Sequence, residues 1–100
     1  MENSELSDFV LVRTESAGVH VGLEGSRDGD VIVLNQSRRI HYWEGACSCS
    51  EIAINGIKDL AKSRIAIILP KITLRGWIEI IPMTKKAAQN VMEAEVWSIQ

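Results

Sequence analysis

Hydrophobic positions along the chain fall first into short alternating runs and only near the end into a helical period. Residues 8–14, DFVLVRT, are apolar and β-branched and predict a strand. In GVHVGLEG, residues 18–25, Val19, Val21 and Leu23 share one face while His20, Gly22 and Glu24 share the other. GSRDGD at 25–30 has the glycines and aspartates of a turn, and VIVLN at 31–35 is a further strand, so the pair predicts a β-hairpin. Residues 38–43 alternate again, with Ile40 and Tyr42 on one face and Arg39, His41 and Trp43 on the other. SEIAINGI predicts a short helix, capped by Ser48 or Ser50 and ended by Gly56. IKDLAKS fits either a loop or a helical turn.

Residues 64–83 are the most apolar part of the chain. Pro70 has no amide hydrogen for a central ladder, so this stretch divides into strands at 64–69, 71–75 and 76–83. Thr84 caps a helix over 84–97, with Ala87, Ala88, Val91 and Met92 on one face, and the apolar Val96, Trp97 and Ile99 close the chain. The expected fold is α+β: an antiparallel sheet of about five to six strands packed against a short middle helix and a C-terminal helix. Residues 1–7 are polar and acidic and read as a flexible N-terminal tail, leaving 8–100 as a single domain.

Composition narrows the function. With 46% hydrophobic and 24% charged residues the chain is globular rather than disordered. Its 100 residues bury limited interior for that apolar content, so a homo-oligomer is expected. A net charge of −2 argues against a sequence-independent nucleic-acid binder, which is normally basic. It leaves room for a small anionic ligand, since a pocket can be positive while the whole is not. No run of about 20 apolar residues offers a membrane span. The acidic start is the reverse of a signal peptide, which points to the cytoplasm and to reduced thiols at Cys47 and Cys49.

Candidate chemistry is sparse. Cys47, Cys49, His20 and His41 lack a known zinc spacing, and the two cysteines read as small residues in a tight connection. No nucleophile–base signature supports an enzyme, and no motif calls for a cofactor. The stronger group is Arg38, Arg39, His41 and Trp43, joined by Arg13 and His20 if their strands are neighbours. Guanidinium groups clamp phosphate, tryptophan stacks on a base, and the amides opening the 49–52 helix turn favour an anion. The competing reading makes Trp43 part of the core and leaves the arginines solvated.

The order GVHVG, RRIHYWEGA, EIAINGI and IEIIPMT followed by an alanine-containing helix resembles a group of small tailed-phage proteins with no assigned activity. The resemblance spans residues 9–97, and the chain departs from it at Cys47 and Cys49. It implies a phage origin, action in the host bacterial cytoplasm and a non-enzymatic accessory role. Two functions then compete. One is binding or sequestering a nucleotide signal of bacterial antiphage defence. The other is a protein-interaction module that binds and inhibits a host protein by edge-strand or helix-face contact.

Overall fold

The first strand, β1 (Leu6–Thr14), is buried on both faces at its centre, because Val10, Leu11 and Val12 are consecutive and all buried. Alternation therefore sends Leu11 to one side of the sheet and Val10 and Val12 to the other. A computed structural model describes residues 5–97, and its architecture is α+β: a six-stranded antiparallel sheet with two helices. The remaining strands are β2 (Val19–Asp28), β3 (Val31–Tyr42), β4 (Arg64–Ile65), β5 (Leu69–Arg75) and β6 (Trp77–Thr84). Their order is β4-β3-β2-β1-β6, with β5 also pairing β3.

Helices α1 (Cys49–Asn55) and α2 (Lys85–Met92) cover one face. There Ile52, Ala53, Ile57, Ala87, Ala88 and Val91 meet Leu11, Val21, Ile40 and Met83. Ser48 caps α1 through the Glu51 amide, and Gly56 ends it at φ 80°, a conformation that leaves no room for a side chain against Asn90. Thr84 caps α2, accepting from the Ala87 amide and donating to Ile54 O. The second face carries its own core of Val10, Val12, Ile32, Leu34 and Leu74.

The β2–β3 hairpin encloses that second core by bending. One register shift lies between Val21 and Leu23, where β3 carries an extra residue, and another between Glu24 and Ser26, where β2 does. Gln36 has φ 50° and supplies the β3 bulge. The bent hairpin brings its tip to the β5–β6 turn: the Gly76 amide donates to Asp30 O at 2.8 Å and Trp77 Nε1 to Gly29 O at 3.2 Å. Strands β5 and β6, joined by Gly76 alone, thus sit at opposite ends of the curled sheet path.

Several sequence boundaries move. The runs at 31–35 and 38–43 are one strand, continuous through the Gln36 bulge. The predicted strand at 64–69 shrinks to Arg64–Ile65, and Pro70 enters β5, an edge strand in which its missing amide hydrogen costs no central ladder bond. The C-terminal helix stops at Met92 rather than running to residue 97. β1 starts inside the predicted tail: Leu6 pairs with Thr84, and Ser7 Oγ donates to Met83 O. Residues 1–4 of that tail, and Ile99, lie outside the described residues.

Candidate functional site

The bulge at Gln36 decides which side chains of β3 meet. Before it, Ile32 and Leu34 face the second core. After the extra residue the parity changes, so Ser37, Arg39 and His41 take that face while Arg38 and Ile40 point to the helices. His20 lies directly across from Arg39 on β2, and Val12 lies across from His20 on β1. His20, Arg39 and His41 line a recess of about 150 Å³. Its other walls are Ala66, Ile67, Leu69 and Ile72, and Ile72 also packs on the second core. The recess is the place where that enclosed interior reaches the surface.

Polar bonding here is incomplete. Four buried side-chain polar atoms among the described residues have no partner, and three of them are His20 Nδ1, Ser37 Oγ and Arg39 Nε. These three occupy adjacent positions of one sheet face, and Ser37 is paired to Leu69 of the recess wall. His20 is wholly buried. Its Nε2–H donates to Ala17 O at 2.9 Å, so in the neutral ring Nδ1 carries a free lone pair. Burial lowers the His20 pKa below the usual histidine value, Arg39 and His41 push the same way, and the bond to Ala17 opposes them. Arg39 has no carboxylate within ion-pair distance among the described residues. Gly22, two residues along from His20, keeps the strands close: a Cβ there would stand 3.1 Å from Asn35 O and from Leu34 Cβ.

Three other residues expected at the site lie elsewhere. Arg38 is 1% exposed, and its guanidinium bonds main-chain carbonyls of Ala66 and of the end of α2, with Nη2 left as the fourth buried atom without a partner. Nε donates to Ala66 O at 2.8 Å, and Nη1 to Val91 O at 3.0 Å, Met92 O at 3.3 Å and Ala94 O at 2.7 Å. It is a helix-end clamp, not a ligand contact. Arg13 follows Val12 on β1 and so takes the opposite, helix-side face, where it pairs with Glu79 of β6 at 2.9 Å and does not join His20 and Arg39. Trp43 follows the last β3 residue, so strand alternation no longer governs it. It packs against the helix-side core and donates Nε1–H to Ala46 O at 3.2 Å.

The aromatic neighbour of His41 is instead Trp97, at 5.6 Å between ring centroids. The Trp97 amide donates to Ile65 O at 2.9 Å, which fixes the post-helix segment beside β4. The Arg64 guanidinium stands 5.3 Å from the Trp97 ring and 5.8 Å from the Tyr42 ring. Next to the recess, Ile67, Ile68 and Leu69 are exposed. Sequence reading missed this rim because it assigned Ile67–Leu69 to a strand and Trp97 to a helix. An apolar run next to a proline and a tryptophan beyond the last helical period were the available signals.

Two larger depressions, one lined by Lys86, Gln89 and Asn90 and one by Ser63 and residues 93–97, hold none of the unpaired atoms. Cys47 and Cys49 are free thiols, and burial raises the Cys49 pKa. Cys49 packs against the helix-side core, across the sheet from His20 and His41, so the four do not converge. Among the described residues no helix is long and apolar enough to cross a membrane. No curated protein and no solved structure matches the chain. Residues 7–91 match the model of the domain of unknown function DUF6948, and the chain belongs to that family.

Proposed function

We propose that the protein is a non-enzymatic binding module that takes an anionic group of a phosphorylated small molecule into the Arg39 recess. One observation carries this reading: His20 Nδ1, Ser37 Oγ and Arg39 Nε are buried, adjacent and without partners. Buried polar groups are normally bonded, and each one left unsatisfied costs about 1–3 kcal/mol. An unpaired guanidinium N–H with a hydroxyl and an imidazole nitrogen beside it favours an oxygen-bearing anionic occupant. The 150 Å³ recess is smaller than the roughly 300–1,000 Å³ of pockets that enclose whole ligands. It suits one charged group, with the rest of the molecule outside against His41 and Trp97.

With a phage origin taken from the resemblance, and with the chain's small size and near-neutral charge, our reading of that ligand is a nucleotide signal of antiphage defence, sequestered in the host cytoplasm by a homo-oligomer. A second reading has its own support. The exposed run Ile67–Leu69 would suit a protein-interaction module that seats an acidic side chain of a host protein in the recess.

Calorimetric titration with cyclic and linear nucleotides tests the first reading. Arg39→Ala should weaken binding about 10- to 100-fold, the effect of one charge-assisted hydrogen bond, with little change in melting temperature. Trp43→Ala should lower stability and leave affinity unchanged, since Trp43 lies on the helix-side core. No heat from any nucleotide with the parent protein would sink the nucleotide reading and leave the interaction module.

A further inference from the structure

We infer that the recess admits its anion together with a proton, so that His20 becomes an imidazolium as a small oxyanion settles between it and Arg39. This rests on the reading of the recess as an anion site. The reason is the locked tautomer. Nε2–H is committed to Ala17 O at 2.9 Å, and moving the proton to Nδ1 would leave that carbonyl facing a lone pair. A neutral His20 therefore presents only a lone pair on its unpartnered Nδ1, which repels an oxyanion. Protonation from solvent turns both ring nitrogens into donors, one for Ala17 O and one for the ligand.

The surroundings decide when that proton is taken. From β3, Arg39 and His41 face His20 and both disfavour its charge. From β1 it meets Val12, and the 66–69 link and β5 contribute Ala66, Ile67, Leu69 and Ile72, none of them titratable. Among the described residues no carboxylate lines the recess. An empty recess thus holds His20 neutral, and an anion reverses the local balance by offsetting Arg39 and His41 together. Binding and protonation become one linked event.

Sulfate is the probe, because it stays dianionic across the working range and adds no titration of its own. We expect chemical-shift titration of the isotope-labelled protein to show affinity falling as pH rises above the usual histidine value near 6.5, with a slope approaching tenfold per pH unit, that of one proton. The His20 ring carbons should move to imidazolium values at saturation. Sulfate-induced shifts with a flat pH profile and a neutral His20 would overturn the inference while leaving the anion site standing. Absence of shifts at His20, Arg39 and His41 at any pH would overturn both. His20→Gln keeps an amide donor for Ala17 O but cannot take a proton, so the pH slope should vanish in it. A full slope surviving in His20→Gln would assign the proton to His41 and refute the inference.

Discussion

Arg38→Met should be the most damaging polar substitution in the molecule, and its cost can be worked from the bonds it breaks. Methionine fills much of the arginine volume, so the loss is chiefly polar. Four carbonyls, at Ala66, Val91, Met92 and Ala94, lose their cationic donor. Charge-assisted hydrogen bonds contribute about 1.5–3 kcal/mol each, but these do not add. Nη1 has two hydrogens for three carbonyls, and Met92 O is the longest of them at 3.3 Å. The variant also escapes the cost of burying a guanidinium, a burial that already lowers the Arg38 pKa. Carbonyls left without a donor cost about 1–3 kcal/mol each, so with the burial cost offset the net loss should be about 3–5 kcal/mol. For a domain of this length each kcal/mol moves Tm by about 4–8 °C, so Tm should fall by at least about 12 °C. Arg38→Lys keeps the charge but not the fork, and should recover less than half of that. Thermal melts monitored by circular dichroism give the magnitude, and amide exchange at residues 89–94 should show α2 fraying from its C-terminal end. A fall below about 5 °C for Arg38→Met, with unchanged exchange in α2, would refute the clamp and return Arg38 to the candidate ligand residues.

Three further outcomes are expected. Gly22→Ala should cost about 1–3 kcal/mol in denaturant unfolding, because its Cβ meets main chain and Leu34 Cβ at 3.1–3.2 Å with little freedom to move; a neutral effect would contradict the close strand approach beside His20. Stability without anion should fall with pH from the usual histidine value near 6.5 downwards: the folded His20 pKa is lowered, so the unfolded chain binds the proton more readily. His20→Gln should remove that part of the acid-side loss in pH-dependent melts, and an unchanged profile would exclude His20 as its source. Sedimentation should show a homo-oligomer, since Leu6, Ile54, Ile67, Ile78 and Val96 are all at least half exposed or close to it; a monomer at tens of micromolar would remove this expectation.

How far the sequence reached is best seen at β3. Local chemistry there was legible: alternation marked the strand residues, Gly56 and Thr84 marked helix ends where the caps are found, and of the two serines offered for the start of α1 it is Ser48 that caps. The sheet with a middle and a C-terminal helix followed from those signals. What alternation could not supply was phase across an irregularity. Gln36 carries no glycine or proline to announce φ 50°, yet it exchanges the two faces of the strand after it. Within 38–43 the parity rule still grouped Arg39 with His41, and the cross-strand step to His20 followed once β2 and β3 were paired. It failed at both ends of the stretch. Trp43 lies beyond the last ladder residue, where nothing enforces a period of two, and it turned to the helix-side core. Arg38 obeyed the parity but not the polarity rule, since a long side chain on the core face can reach the carbonyls that a helix leaves open. That demand arises 53 residues away, between Arg38 and Val91, and no window on the local sequence contains it. The same holds for Trp97, whose place beside His41 depends on where α2 stops and on the bond from its amide to Ile65. The site is therefore split between two kinds of information. Its polar floor is written in adjacent strands and can be read from them, while its rim and its neighbouring clamp are set by the end of a helix that arrives last in the chain.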